Sequence, residues 1–263
     1  MVIQQSRPSP RTWLLAAVEL TAALIAARLI IWASRPPCPC PHHHHQHGMP
    51  KTSAPLIHWG WIEYGSLGVA VAALGWWLVR RDARAAVVSA AALAGFAASP
   101  AVRGLASHSH LIAMVALELL MVACPLLLLR ARPRPSVARP ALGVGWTILA
   151  SVAAVFYAGL LVVIHLPALH SHSTAPTWVA LFALAIGVAY WFGVLCTAER
   201  MPTRARRAML LGAQEVAAFI GLLSLFGAWG ATAHTSPWDQ RLGGLFMMAT
   251  CAAVAVPLAR KIR

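Results

Sequence analysis

The chain reads as an all-α, polytopic transmembrane bundle, and three observations carry that reading. Of its 263 residues, 59% are hydrophobic and 11% charged, where a soluble domain carries about 25% charged residues. Mean hydropathy is +0.69. The charges gather in short clusters between apolar stretches of about 20 residues, the length a helix needs to cross a bilayer core. Those clusters alternate along the chain between arginine-rich and arginine-poor, the pattern that orients a membrane protein.

Eight spans follow, over residues 12–33, 59–79, 85–103, 110–129, 142–164, 177–197, 208–231 and 242–259. The first follows Arg7 and Arg11 and carries Glu19 and Arg28, which lie half a turn out of phase on a helix and do not face each other. A cleaved signal peptide ending near Ala33-Ser34 is the alternative for this segment. Its apolar run exceeds the roughly 7–15 residues of a signal core, so a retained anchor is preferred. Cleavage would leave seven spans with unchanged sidedness. The second span is bracketed by Trp59 and Trp61 at one end and Trp76 and Trp77 at the other, as amphipathic indoles at headgroup level would be. The third is rich in alanine and has Ser99-Pro100 near its end, which makes it the weakest of the eight. Trp178 and Trp238 mark boundaries of later spans. Short polar connections predict antiparallel neighbours. The organisation expected is a cytoplasmic tail and first span over 1–34, a loop over 35–58, and a seven-helix membrane domain over 59–263.

Arginine sets the topology. One set of connections holds Arg7 and Arg11; Arg80, Arg81 and Arg84; Arg130, Arg132, Arg134 and Arg139; Arg200, Arg204, Arg206 and Arg207; and Arg260, Lys261 and Arg263. The other set holds only Arg35, Lys51, Arg103 and Arg241. Both termini are therefore expected in the cytoplasm of a bacterium, with the bundle in its plasma (inner) membrane. The same topogenic role accounts for the net charge of +14. No soluble basic domain is present to bind nucleic acid, which is excluded as a partner.

With that threading all 12 histidines fall on the outer face. His42, His43, His44, His45, His47 and His58 lie in the first outer loop, His108 and His110 in the second, His165, His170 and His172 in the third, and His234 in the fourth. Any single histidine suits a solvated interface, but the set points to metal. The first loop adds Cys38 and Cys40, and thiolates favour Cu(I) while imidazoles suit copper, zinc and nickel. Copper is the first candidate. Prolines at 36, 37, 39 and 41 keep this segment out of helix, so it reads as a flexible capturing tether rather than a fixed tetrahedral site. An expression tag fits poorly, because the run is internal and interrupted by Gln46. A Cys38–Cys40 disulfide is the other alternative; across one residue it would be strained and reducible, a route to redox-controlled release. In the third loop His165, His170 and His172 have spacing that lets them converge on one ion with His108 and His110. A ligating histidine usually donates its second ring N–H to a partner, and no partner is legible.

Glu118 and Glu215 fall inside the fourth and seventh spans, where an ionisable side chain is a functional candidate by default. Each reads equally as part of an ion path or as a protonated, hydrogen-bonded packing group. Cys124, Cys196 and Cys251 sit singly in apolar runs and read as small buried residues. There is no phosphate-cradling glycine motif, no Ser-His-Asp arrangement and no paired carboxylates suited to hydrolysis, so no enzyme is expected.

The segment Ser236-Pro237-Trp238-Asp239-Gln240-Arg241-Leu242-Gly243-Gly244-Leu245-Phe246-Met247-Met248 resembles the last outer loop and final helix of the CtaG family, membrane assembly factors for caa-type cytochrome c oxidase. Three further stretches are similar to that family: Glu118-Leu-Leu-Met121 running to Pro125, His165-Leu-Pro167, and Tyr190-Trp191. The resemblance spans about residues 59–260, and the Asp239-Gln240 segment with Gly243 and Gly244 is its most specific part. It implies a seven-helix core that helps deliver copper to an oxidase subunit, with the first span and its Cys/His loop added. Two His-x-x-x-His pairs usual in the family fall here at Ala113 and Leu117, and near Pro176 and Ala180, so its helix-borne histidines are absent. The expectation is a copper-binding factor supporting copper-centre insertion in a cytochrome c oxidase, in which Asp239 and Gln240 organise the last outer loop. A transporter of copper or another divalent metal is the first alternative; it would require Glu118, Glu215, Met121, Met247 and Met248 along one internal path. A structural oxidase subunit is the second.

Overall fold

The computed structural model describes residues 59–131, 143–165, 176–197, 201–227 and 236–262. The predicted first span, the Cys38–His47 cluster, His58, His170, His172 and His234 lie outside the described residues. Among the described residues every regular element is helical: α1 (Trp61–Arg80), α2 (Ala83–Ala97), α3 (Pro100–Ala106), α4 (His110–Glu118), a π-helical turn (Leu119–Ala123), α5 (Cys124–Ala131), α6 (Gly143–His165), α7 (Thr177–Cys196), α8 (Thr203–Leu225) and α9 (Pro237–Lys261). Six helices are long and apolar enough to cross a membrane, counting α4, the π turn and α5 as one rod. They match six of the predicted spans to within a few residues, except that α8 (Thr203–Leu225) both starts and ends about five or six residues before the predicted 208–231 and α9 starts at Pro237, about five residues early.

The predicted span over 85–103 is instead a bent pair. Helix α2 stops at Ala97, and α3 leaves at 56° to it. The cause is local. Pro100 has no N–H to continue the ladder, so it takes the first helical position of a new helix. Ser99 caps that helix, its Oγ accepting from Val102 N at 3.3 Å.

Alternation of direction gives the bundle two unlike ends. One carries Trp59, Ser99 to His110, His165 and Ser236 to Gln240; the other carries Arg80 to Arg84, Arg130, Arg206 and Arg260. Helices α4 and α9 both start at the histidine end and run parallel, side by side, while α6 approaches them from the opposite direction. Outward faces are apolar, with Ile62, Val79, Ile148, Val155, Leu181 and Phe182 all exposed, as expected where lipid tails replace water.

With no hydrophobic drive between helices in lipid, close packing is carried by small residues. A Cβ on Gly244 would clash with Gly221 O and lie 2.8 Å from Leu225 N. That locks α9 to α8. A Cβ on Gly187 would lie 2.7 Å from Met121 O, which presses α7 onto the π turn.

The π turn has a readable origin. In an α-helix the amide of residue 125 would donate to Met121 O, but Pro125 has no N–H and its ring collides with that carbonyl. The helix widens by one residue per turn, and Met121 O accepts instead from Trp191 Nε1 at 2.8 Å. Two stretches singled out in the sequence, Glu118 to Pro125 and Tyr190-Trp191, are thus joined by one buried hydrogen bond. Such turns recur at functional sites.

Candidate metal site at the histidine end

The site begins with the cap of α4. Ser109 precedes the helix and its Oγ accepts from Ile112 N at 3.3 Å. From the first turn of α9, the Asp239 carboxylate reaches across to the same helix start. It accepts from Ser109 Oγ at 2.7 Å, His110 N at 2.5 Å and Leu111 N at 3.4 Å. A carboxylate here meets both unpaired amides and the positive end of the helix dipole. Asp239 is itself held by Ser236 Oγ, which accepts from its backbone N at 3.1 Å, while Gln240 beside it is buried. Glu63 does a similar service for its neighbours. It accepts from Gly60 N at 3.0 Å and lies beside Ser99 and the Ala101 amide at the start of α3. No sequence signal had drawn attention to Glu63, whose Trp61-Ile62-Glu63 setting reads as an ordinary helix entry.

Capping fixes where His110 points. Its ring packs on Gly243, where a Cβ would sit 2.5 Å from the His110 Cδ2. That is the physical use of the first glycine of the Gly243-Gly244 pair; the second serves the α8 contact. His110 and His165 are both buried, and their rings meet edge-on with centroids 5.9 Å apart. His165, the last residue of α6, lies 2.6 Å from Leu161 O through Nδ1 and 3.2 Å from Met114 Sδ through Nε2. A carbonyl only accepts, so Nδ1 donates to Leu161 O, and that contact turns Nε2 toward the thioether. A backbone carbonyl on Nδ1 is the orienting partner that Nε2-ligating histidines use, and with its Nε2 deprotonated His165 would present that nitrogen to an ion beside Met114 Sδ.

The donor set suits a soft cation. Two imidazoles and a thioether match Cu(I) and leave hard ions poorly served. Two donors on one ion, with bonds of about 2.0 and 2.3 Å at a tetrahedral angle, stand roughly 3.5 Å apart, close to the 3.2 Å between His165 Nε2 and Met114 Sδ. Among the described residues no three His, Cys, Asp or Glu side chains converge on one point; any site here depends on Met114.

The predicted set is thus divided. His110 and His165 come together. His108 is exposed on the preceding turn. Asp239 is committed to capping. Glu118 lies two turns below His110 on the same face of its helix, beside Thr250. Glu215, expected with it as an intramembrane acid, lies in the middle of α8 but on its exposed side; it does not line an interior path. Cys124 and Cys251 are buried as expected, whereas Cys196 is exposed at the end of α7. The apolar run ends there, so the residue lies at the helix terminus rather than within the packed core.

Fold and site together define a polytopic helical membrane protein with a buried His/Met cluster at one end. No protein-family model, curated protein or solved structure matches the chain.

Proposed function

We propose that this protein binds copper at the histidine end of its bundle and supports copper-centre insertion in a cytochrome c oxidase, without catalysing a reaction itself. The observation that carries the reading is the buried His110–His165–Met114 cluster, with the Nδ1 contact to Leu161 O turning His165 Nε2 toward Met114 Sδ. In this reading the bundle sits in a bacterial plasma membrane, both termini face the cytoplasm, and the histidine end faces outward. Support comes from the arginines gathered at the other end. Cys38, Cys40 and His42 to His47 capture the ion, and His170 and His172, five and seven residues after His165 in sequence, pass it on. A protein that hands copper on needs moderate affinity and an exit, which a three-donor site at a bundle end provides better than a closed four-donor one.

The test is genetic and chemical. A strain carrying the chain with Cys38, Cys40 and His42–His47 replaced by Ser or Ala, and a second carrying His110→Ala with His165→Ala, are assayed for bound copper and oxidase activity at low and ample copper. Activity lost at low copper and restored by added copper supports delivery. Unchanged copper content and full activity in both strains would overturn it.

A further inference from the structure

Below the histidine end the bundle is stacked in register. Two separate contacts fix that register: His110 against Gly243, and Glu118 beside Thr250 and Cys251. Parallel helices α4 and α9 therefore descend together, four residues per step. Helix α6 descends in the same steps, from His165 at His110 to Tyr157 at Glu118. Three layers result, about 6 Å apart by helix rise: His110, His165 and Gly243; then Met114, Leu161 and Met247; then Glu118, Tyr157 and Cys251. The third layer is polar in the middle of an apolar bundle. Gln214 from α8 joins it beside Tyr157 and Tyr190, which stack at 4.1 Å. Gln214 is buried beside the two tyrosine hydroxyls.

We propose that Cys251, Met247 and Glu118 form a second station for the same soft monovalent cation, two helical turns below the histidine pair. Met247 and Cys251 are one turn apart on the same face of α9, so their sulfurs neighbour each other. The Glu118 side chain lies beside Cys251. Coordination by Cys251 releases its thiol proton, for which the adjoining Glu118 carboxylate is the acceptor. Met114 and Met247 bridge the two layers with thioethers, giving a cation from the upper site sulfur ligands on its way down. Glu215 takes no part. The proposal rests on the upper site as the point of entry.

Ag(I), which mimics Cu(I) without redox chemistry, is the probe. The full chain with Cys38, Cys40 and His42–His47 replaced by Ser or Ala is loaded in detergent, and its bound ions are counted by native mass spectrometry. Cys251→Ala, Met247→Leu, and His110→Ala with His165→Ala are compared on that background, with near-ultraviolet circular dichroism as the folding control. The count should fall by one ion in Cys251→Ala, and Met247→Leu should weaken the last ion bound by 10-fold or more, an effect of about 1.4 kcal/mol. An unchanged count in folded Cys251→Ala overturns the second station. If the histidine variant alone loses an ion, the upper site stands and the lower one falls. If Cys251→Ala alone loses one, the lower layer binds an ion without the histidine pair, and the upper site falls together with entry through it.

Discussion

Replacing Trp191 with Phe tests the packing logic that places Glu118. The substitution deletes the Nε1 donor, 2.8 Å from Met121 O, and leaves that carbonyl buried. Pro125 prevents the helix from re-forming its own bond there. An unpaired buried acceptor costs about 1–3 kcal/mol, and interhelical hydrogen bonds in membranes average about 0.6 kcal/mol with a maximum near 1.7. A loss of about 1–2 kcal/mol is therefore expected, plus about 1 kcal/mol for the volume removed from a fully buried ring. The second variant, Pro125→Ala, returns an N–H at the position that would bond Met121 O in an α-helix. With that donor present, Trp191→Phe should cost only the volume term. The double-mutant cycle cancels the cavity and isolates a coupling of about 1 kcal/mol, read from unfolding in mixed micelles by circular dichroism. A cost for Trp191→Phe that is equal in the two backgrounds would refute the account of the π turn.

Other outcomes follow from the same geometry. Asp239→Ala removes an acceptor shared by three donors at the start of α4 and should lower stability by about 1–2 kcal/mol, as loss of a strong cap does; detergent thermal denaturation reads it. Gly244→Ala forces a methyl against Gly221 O and should cost about 1–3 kcal/mol, while Gly212→Ala, with open space around it, should stay within about 0.5 kcal/mol of wild type in the same assay. Met114→Leu keeps volume and removes the sulfur, so it should weaken Cu(I) binding by about 10-fold or more, an effect of about 1.4 kcal/mol, with stability changed by less than about 1.5 kcal/mol. Competition with a chromophoric Cu(I) chelator measures the first effect.

Most of the helical architecture was legible because apolar runs of membrane length leave few alternatives. Ser99-Pro100 marked the span over 85–103 as the weakest, but neither the break nor its bend was read from it. The π turn was equally available, since Pro125 deprives Met121 O of its partner, but a lone proline does not say whether a helix kinks, ends or widens. At the candidate site, the convergence of His110 with His165 was half visible in the predicted loop adjacency. Met114 was missed because a methionine in an apolar run carries no mark of its own. Its signal was spacing: it lies four residues after His110, as Leu161 lies four before His165. Asp239 stood out through family resemblance, and its role as a cap for a distant helix needed the parallel packing of α4 and α9. Glu215 shows the limit of composition, which locates an acid within a span but not the face it occupies.

The central claim, a copper site built by His110, His165 and Met114, is tested most directly by X-ray absorption at the copper edge. The full chain with Cys38, Cys40 and His42–His47 replaced by Ser or Ala is loaded with one equivalent of Cu(I). The account predicts a shell of two imidazole nitrogens and one sulfur, with the sulfur lost in Met114→Leu and the nitrogens reduced in His165→Ala. A spectrum unchanged by both substitutions would contradict it.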